Sequence, residues 1–518
     1  MKRLSRRRPP ALLAAVWLAA CARPLPAPDT VAVLADRDVE GLDPHTSGQI
    51  WQTQNVLLNA YEPLVGVDAQ MSVVPALAAS WSSPDDVTWD FRLRPGVSFH
   101  TGGTVRAQDV AFSLLRARDH ERSALKPTLS GVADITVLAP DLVRIRTSEP
   151  DPLLATKLRE VFILSAAFVE RHGEASLEEV SCGTGPFRIV SRERGAVVEL
   201  RRFDGYWKGL PSISHLLFVA RTFGDPALEK VVPKEARLVF WVPPGSALFE
   251  SCRRSYDLHV TPSLSVTYLA FDLERDTPAG VTLPPGAKGN PFRDPDVREA
   301  MARTIDPEAF LAADAGTAAS QFVPPGVFGF DPTLPPLKPD REEARRHLAR
   351  SGFPRGFDVD LDVRKMQDRY AAPIARGLLS VGITARVNAL PEAEFFAKLA
   401  ERRSASYVLR FSCRSGDAQE FLDAWLHSHD EARGLGRSNF SFLKCPVAGL
   451  DAAIDAARHE STPLLRNEML KRIMRSAVAA RLAVPLFFNA DVTFVSRDLD
   501  WKPRADTFRT FGDAKIRR

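Results

Sequence analysis

Alternating apolar and polar residues mark a strand early in the chain. Over residues 87–94, VTWDFRLR, every second side chain is apolar, which is the two-residue period of a strand with one buried face. The turn sequences Pro95-Gly96 and Gly102-Gly103 enclose a second short strand, which we predict over residues 97–99. Apolar residues at 110, 111, 114 and 115 then share one side of a helix. The pattern predicts a module in the order strand, turn, strand, turn and helix.

The same two periods predict elements along the rest of the chain. Strand patterns occur at residues 31–34 and 357–363, and helical patterns occur at 50–60 and, as a pair of helices, over 451–480. Asp294 stands directly before Pro295, which is a favourable sequence for the start of a helix. Strands and helices are mixed along the whole length, and this mixture predicts an α/β fold.

Length and composition indicate a globular protein with more than one lobe. The chain has 518 residues, 45% of them apolar, which is longer than one hydrophobic core normally supports. Its 68 basic residues include five within residues 1–20, and the remaining 63 nearly balance the 64 acidic residues. The part after residue 20 therefore has a net charge of −1. That charge gives no reason to expect a nucleic acid or an anionic membrane surface as partner.

The N-terminus has the pattern of an export signal. Basic residues precede the apolar run Ala11 to Ala20, which is too short to span a bilayer. Leu18-Ala19-Ala20-Cys21 is similar to a bacterial lipobox, so we predict a lipoprotein signal peptide over residues 1–20 and a lipid on Cys21. The Pro- and Ala-rich stretch that follows predicts a tether over residues 21–30. An ordinary secretory signal with a chance cysteine is the alternative.

The remaining cysteines allow two interpretations. Four are left after Cys21, namely Cys182, Cys252, Cys413 and Cys445. In an exported chain they form disulfides, for which three pairings exist, or stay as buried thiols. The sequence contains no Cys-x-x-Cys pair, and it predicts no metal site and no cofactor. The two histidines of His427-Ser428-His429 have a spacing that is found in metal ligands, but an ordinary polar segment is favoured there.

Several short sequence motifs are more specific to one protein family than the hydrophobic periodicity is. They stand at Pro75, Leu77-Ala78, Ser80-Trp81, Trp89 to Gly96, Phe99, Asp109 to Ser113, Leu42-Asp43-Pro44, Tyr61 to Val65, Gly183 to Phe187, Tyr268 to Asp272 and Asn290-Pro291-Phe292. Together they resemble the signature of the family 5 extracellular solute-binding proteins, the oligopeptide- and dipeptide-binding lipoproteins of ABC importers. The resemblance extends over nearly the whole mature length.

The resemblance implies a fold and a division into domains. The fold is α/β and periplasmic binding protein-like, of the class II, cluster C type, with two large lobes joined by a hinge and an extra domain. The resemblance also implies a helix over residues 342–349 and a strand over residues 483–488 that recrosses the hinge. Domain I is expected over residues 31–61, 181–268 and 487–518, domain II over 62–180 and domain III over 269–486. In this family the ligand binds in the cleft between the lobes.

The family's ligand-anchoring residue is changed in this chain. In peptide-binding relatives, an aspartate in a loop of domain III takes the ligand's ammonium group. The corresponding segment is 411–422, FSCRSGDAQEFL, where alignment on Asp417 puts Arg414 at that position and one gap puts Ser415 there. An ammonium group buried beside Arg414 would be unfavourable. Arg414 facing the cleft suits an anionic ligand, whereas Arg414 facing solvent leaves Asp417 as the anchor.

Three further residues are predicted to line the cleft. Ser47 and Trp51 lie between two family landmarks, and the resemblance implies that this segment faces the ligand. Trp425 lies shortly after the changed loop. An aromatic side chain at helical spacing equally suits a hydrophobic core, so a core position is the alternative for Trp51.

The predicted function follows from the resemblance. It implies a monomeric, non-catalytic lipoprotein, anchored to a bacterial membrane outside the cytoplasm. This lipoprotein captures a peptide or another small, for example anionic, solute and delivers it to ABC permease subunits in the inner membrane. A lipoprotein with the same fold that acts as a sensor, chaperone or adaptor is the alternative. No nucleophile elbow, zinc-protease helix or nucleotide-binding loop occurs in the sequence, so a hydrolase is disfavoured.

Overall fold

The computed structural model describes residues 29–47, 50–68, 71–221, 228, 232, 236–242, 244–310, 316–440 and 444–517. The predicted signal peptide, Cys21 and most of the predicted tether lie outside these residues. Within them, no helix has both the length and the apolar character that crossing a membrane requires.

The strands form one large sheet and several small ones. In chain order they are β1 (Thr30–Ala35), β2 (Val65–Val67), β3 (Val73–Pro75), β4 (Ala78–Asp85), β5 (Thr88–Leu93), β6 (Val132–Ala139), β7 (Leu142–Thr147), β8 (Phe187–Glu193), β9 (Val197–Arg202), β10 (His215–Ala220), β11 (Leu238–Phe240), β12 (Asp257–Phe271), β13 (Val281–Thr282), β14 (Thr317–Ala318), β15 (Asp358–Arg364), β16 (Thr384–Leu390), β17 (Ser406–Ser412), β18 (Ala483–Val495), β19 (Leu499–Asp500) and β20 (Lys515–Ile516). The large sheet has the order β13-β15-β17-β12-β18-β11-β1-β10-β9-β8, with β14 on β18 and β16 on β15. The strands predicted at 31–34, 357–363 and 483–488 are confirmed within β1, β15 and β18.

The helices lie between these strands. They are α1 (Trp51–Ala60), α2 (Ala107–Asp119), α3 (Lys126–Leu129), α4 (Leu154–Leu158), α5 (Ala166–His172), α6 (Ala247–Ser255), α7 (Pro295–Thr304), α8 (Arg341–Arg350), α9 (Ala371–Leu379), α10 (Glu392–Ala400), α11 (Gln419–Phe421), α12 (Leu450–His459) and α13 (Pro463–Ala479). The predicted cap of α7 is confirmed, because the Asp294 side chain accepts a hydrogen bond from the N–H of Asp296 at 2.9 Å. The alternation of strands and helices confirms the α/β class.

Two long antiparallel strands join the halves of the large sheet. β12 and β18 pair from Asp257 against Val495 to Ala270 against Ala483. Their register shifts after Pro262, a residue that has no N–H to donate to the ladder. Strands β11, β1, β10, β9 and β8 lie on one side of this shift, and β17 and β15 lie on the other. Two backbone crossings therefore connect two bodies, which is the geometry of a hinge.

Buried apolar side chains fall into three main clusters, which define the lobes named below. Lobe I draws its cluster from residues 31–61, 162–240 and 495–514, lobe II from 64–163 and lobe III from 264–488. A smaller cluster around Tyr256 adjoins lobe I through Leu34 and Phe494. These clusters describe packing; the predicted boundaries of domains I, II and III stay a prediction.

Lobe II contains the module predicted from alternation. Its sheet has the order β4-β5-β7-β6, and Phe91 and Leu93 of β5 are buried. The strand predicted over residues 97–99 is wrong, since only a bridge joins Ser98 to Thr104. The turns at Pro95-Gly96 and Gly102-Gly103 leave too few residues between them for a regular strand. The predicted helix is confirmed as α2, but Leu115 on it is 37% exposed.

Two glycines let lobe I pack against the end of α1. A Cβ on Gly183 would lie 2.3 Å from the carbonyl oxygen of Ala60, and a Cβ on Gly185 would lie 2.7 Å from the carbonyl oxygen of Asn59. Neither separation is possible between real atoms. The glycines are therefore required by the closeness of the two backbones.

The described cysteines are buried free thiols. Cys182, Cys252, Cys413 and Cys445 form no disulfide, which decides between the two interpretations left open by the sequence. Burial raises the pKa of Cys182 to about 12 and the pKa values of Cys252 and Cys445 to about 11. Thiols with such pKa values are inert near neutral pH.

Candidate ligand-binding site

The loop after β17 lies where the three lobes meet. β17 pairs with β12 as far as Ser412, and the N–H of Cys413 then donates to the carbonyl of Leu264 at 2.7 Å. Gly416 has φ +73°, a left-handed conformation that favours glycine, and the chain turns there. The N–H of Phe328 donates to the carbonyl of Gly416 at 2.8 Å, which fixes the turn against lobe III. The loop is thereby held at the end of β17, with Arg414 projecting from it.

Arg414 makes contacts with the other two lobes. Its guanidinium carbon lies 4.9 Å from the ring centre of Trp51, the first residue of α1 in lobe I. Its backbone carbonyl accepts a hydrogen bond from Nη2 of Arg159 in lobe II. A guanidinium stacked on an indole ring is favourable, and it leaves the N–H groups in the guanidinium plane able to donate. Arg414 therefore faces the interlobe space.

Four charged side chains surround this point, namely Arg159, Glu160, Arg414 and Glu420. Burial lowers the pKa of Arg414, while the charges of Glu420 and Glu160 act in the opposite direction. Burial raises the pKa of Glu420, and the charge of Glu160 acts in the same direction. Across the described ranges, none of the four forms an ion pair of 4.0 Å or shorter. The four charges influence one another without being paired.

Asp417 is engaged within lobe III. Its carboxylate accepts hydrogen bonds from both terminal nitrogens of Arg466, at 2.6 and 2.9 Å, and from the N–H of Gln419 at 2.9 Å. The two side chains of this ion pair are only 5% and 9% exposed. A carboxylate held in this way is largely saturated with donors. The geometry favours the interpretation in which Arg414, rather than Asp417, faces a ligand.

Ser415 and Trp51 lie beside the charged group. The N–H of Ser415 donates to the Glu420 carboxylate at 2.7 Å, which holds that carboxylate against its own loop. Trp51 packs against Phe508 and Trp241 of lobe I, with ring centres 4.5 and 6.0 Å apart. The Trp51 side chain therefore forms an aromatic wall behind Arg414.

The other two predicted residues lie elsewhere. Ser47 sits in the loop before α1, where its side chain lies against Gly41. Trp425 is 1% exposed and lies in the core of lobe III, with its ring centre 5.3 Å from that of Tyr268 and 5.5 Å from that of Phe421. The structure thus gives Trp425 a core position, because its spacing relative to Phe421 places both rings on the buried side.

Two cavities occupy the space between lobes II and III. One, of about 490 Å³, is lined by Trp89 of lobe II and by Phe328 and Arg466 of lobe III. The other, of about 460 Å³, is lined by Glu160 from lobe II and by Ser415 and Glu420 from lobe III. Leu153 lines both, so the cavities adjoin. Each has the size of a small-molecule site.

Direct contacts also join the lobes. Arg37 of lobe I pairs with Glu392 of lobe III at 3.0 Å. His459 of lobe III donates through a ring nitrogen to the carbonyl of Pro150 in lobe II at 2.8 Å. The described arrangement therefore has the lobes in contact, with the charged group at their junction.

Sequence reasoning missed several residues of this site. Arg159, Glu160 and Arg466 lie far from the loop in sequence, and no local pattern links them to it. Glu420 lies inside the segment that corresponds to the family's ligand-anchoring loop. An acidic residue in that segment could have been predicted to lie at the site. Among the described residues, no group of three or more His, Cys, Asp or Glu side chains could hold a metal ion.

Comparison with known proteins identifies the family. The model of the bacterial extracellular solute-binding proteins, family 5 Middle, matches residues 72–433, well over half of the chain. The chain is 24% identical over 435 residues to the dipeptide-binding protein of Escherichia coli strain K12, an alignment that covers 76% of this chain and 78% of the relative. It is 26% identical over 433 residues to the glutathione-binding protein GsiB of Salmonella typhi, covering 81% of this chain and 80% of the relative.

A solved structure shows the same fold. The ABC transporter substrate binding protein CtaP from Listeria monocytogenes superposes with a TM-score of 0.81 at 17% identity, covering 94% of this chain and 99% of that protein. The predicted periplasmic binding protein-like fold is thereby confirmed. The chain belongs to the bacterial extracellular solute-binding proteins of family 5.

Proposed function

We propose that this solute-binding protein captures a small solute or peptide through an anionic group and delivers it to the permease of an ABC importer. Membership of a solute-binding family supports binding rather than catalysis. Two relatives are named for dipeptide and glutathione binding, and both of those ligands carry carboxylates. The alternative function, as a sensor, chaperone or adaptor, has no specific support in the structure.

The position of Arg414 is the observation that supports an anionic ligand. Its guanidinium is partly buried at the junction of three lobes, stacked on Trp51, and has no ion-pair partner within 4.0 Å among the described residues. Taking a cation out of water without a partner is unfavourable. A carboxylate or phosphate of the ligand would supply that partner through two parallel hydrogen bonds.

The clamp mechanism follows from where the contacts lie. A ligand at Arg414 touches lobe III through that residue, lobe I through the wall at Trp51 and lobe II through Arg159. Contacts to all three lobes exist only when the lobes are together. The ligand therefore shifts the equilibrium toward the closed arrangement by its extra affinity for that state, and the hinge at β12 and β18 permits the movement.

The same proposal places the protein outside the cytoplasm. Export by the signal peptide and acylation of Cys21 would anchor a monomer to a bacterial membrane through its tether, without a spanning helix. Mass spectrometry of the N-terminal peptide of the mature protein tests this directly. A diacylated Cys21 supports anchoring, and a free N-terminus produced by cleavage at another residue contradicts it.

Native mass spectrometry of the mature protein tests the ligand. Protein purified from bacterial membranes in mild detergent, without refolding, is expected to carry a small molecule that is released on denaturation and contains a carboxylate or phosphate. Arg414→Ala is expected to be isolated without it, and Arg254→Ala, which removes an exposed charge on α6, is the matched control. A bound molecule without an anionic group, or one retained by Arg414→Ala, contradicts the proposal.

A further inference from the structure

Lobes II and III also meet directly at His459, apart from the charged group around Arg414. His459 is the last residue of α12 in lobe III. Its Nδ1 lies 2.8 Å from the carbonyl oxygen of Pro150, and its Nε2 lies 3.3 Å from a carboxylate oxygen of Glu149. Both acceptors belong to the segment between β7 and α4 of lobe II. Both ring nitrogens of one side chain in lobe III therefore face acceptors in lobe II.

Only the protonated ring of His459 satisfies both acceptors. A neutral imidazole has one N–H donor and one nitrogen lone pair, so in either tautomer one nitrogen would face an oxygen lone pair. A backbone carbonyl and an ionised carboxylate accept hydrogen bonds and have no proton to donate. An imidazolium donates through both nitrogens, and its charge is attracted to that of Glu149. The observed geometry is therefore that of a charged His459.

The surroundings of His459 favour a positive charge. The residue lies at the C-terminal end of α12, where the helix dipole is negative. Of the neighbouring bases, Arg458 pairs with Asp423 at 2.7 Å. Lys157 pairs with Asp151, also at 2.7 Å. Six acids and four bases adjoin His459, nine of them in the lining of the cavity of about 460 Å³ and Glu460 next in the chain: Glu149, Asp151, Glu160, Glu420, Asp423, Glu460, Lys157, Arg433, Arg437 and Arg458.

We propose that His459 is a pH-sensitive latch that holds lobes II and III together when its ring is protonated. In the closed arrangement the imidazolium bridges Pro150 and Glu149. Loss of the proton makes one of these two contacts repulsive, so the closed arrangement becomes less favourable. Because closure strengthens the binding of this proton, a lower pH favours the closed arrangement and a higher pH favours the open one.

The latch regulates how long the ligand is retained. It rests on the proposed function, in which these lobes close over the ligand. In acidic surroundings the closed arrangement lasts longer, so release of the ligand is slower. As the pH rises through the range in which histidine loses its proton, about pH 5 to 8, release becomes faster.

Distance measurements between two spin labels, one in lobe II and one in lobe III, test the latch. The labels are attached to Ala133→Cys on β6 and Arg472→Cys on α13, which are exposed positions, whereas the four described native cysteines are buried. The mature protein is first freed of co-purified solute by dialysis. From pH 8 to pH 5 the ratio of closed to open molecules is expected to rise about two- to fivefold, the contribution of one partly exposed ion pair.

Matched variants separate His459 from the other groups that titrate in this range. His459→Gln has one donor and one acceptor at every pH, so it is expected to remove the rise. Glu149→Gln keeps an acceptor but removes the charge, and it is expected to reduce the rise. His429→Gln removes an exposed histidine of lobe III and is the control, which is expected to keep the rise.

The outcomes distinguish the latch from the proposed function. A ratio that does not change with pH in the native protein, or a rise that persists in His459→Gln, overturns the latch and leaves the anion anchor standing. If Arg414→Ala keeps its solute while the rise depends on His459, the anchor is wrong and the latch stands.

Discussion

Replacing Asp417 by Ala should destabilise lobe III strongly and leave ligand capture intact in the folded fraction. The substitution leaves Arg466, whose side chain is 5% exposed, as a buried cation without its partner. Breaking a buried pair by removing one member costs about 3–5 kcal/mol. The hydrogen bond to the N–H of Gln419 at the start of α11 is lost as well, which adds about 1 kcal/mol. We therefore expect the free energy of unfolding of lobe III to fall by about 4–6 kcal/mol.

Urea titration followed by hydrogen-exchange mass spectrometry measures this loss locally. Peptides covering α11 and α13 are expected to lose protection in Asp417→Ala at urea concentrations where the native protein is still protected. The double variant Asp417→Ala/Arg466→Met removes both charges, so it is expected to recover most of the lost stability. The single variant Arg466→Met is expected to be about as unstable as Asp417→Ala.

A different result would refute this reasoning. If Asp417→Ala costs less than about 1 kcal/mol and yet abolishes binding of the co-purified solute, then Asp417 contacts the ligand and its bond to Arg466 is of minor importance. In that case Arg414 would lose its place as the anchor.

Three further predictions concern pH, backbone packing and the aromatic wall. Burial lowers the pKa values of His45 and His100 from 6.5 to about 4, so the unfolded chain takes up protons first as the pH falls below 6.5. The free energy of unfolding should therefore be highest above pH 6.5 and decrease toward pH 4, by about 2 kcal/mol for each histidine between pH 7.5 and 5. Urea titrations of the double variant His45→Gln/His100→Gln should show a correspondingly shallower pH dependence. Gly185→Ala should lower the melting temperature, because its Cβ would lie 2.7 Å from the backbone of Asn59 and Ala60, and overpacking costs about 1–3 kcal/mol. The control Gly131→Ala should leave the melting temperature unchanged, since a Cβ there meets nothing within 4 Å. Equal melting temperatures for the two variants would contradict the packing argument. Trp51→Ala should weaken solute binding by calorimetry about two- to thirtyfold through loss of the contact with the Arg414 guanidinium, and an unchanged affinity would show that this contact is not part of the site.

Local patterns in the sequence were sufficient for the individual elements. The alternation over residues 87–94 predicted β5, and the periodic pair over 451–480 predicted α12 and α13. The same patterns failed over residues 97–99, because two closely spaced turns leave too few residues between them for a strand. Burial also differed from the pattern at Leu115, because the side of α2 that is covered depends on what packs against it.

The candidate site depended on partners that are distant in the chain. Arg414 could be singled out because it replaces an expected acid, but nothing in the sequence shows that Arg159 and Glu160 approach it from another lobe. Likewise, Asp417 looked like an alternative anchor until its pairing with Arg466 was seen. Trp425 was predicted to line the cleft, whereas its packing against Tyr268 and Phe421 places it in the core of lobe III.

The most direct test of the central claim is the affinity of Arg414→Lys for the solute that co-purifies with the native protein. Lysine keeps the positive charge but lacks the planar fork that stacks on Trp51 and donates two parallel hydrogen bonds. By calorimetry we predict at least about tenfold weaker binding of the re-added solute to Arg414→Lys, and binding of native strength to the control Arg254→Lys. Native affinity in Arg414→Lys and in Arg414→Ala would contradict the claim that Arg414 anchors the ligand.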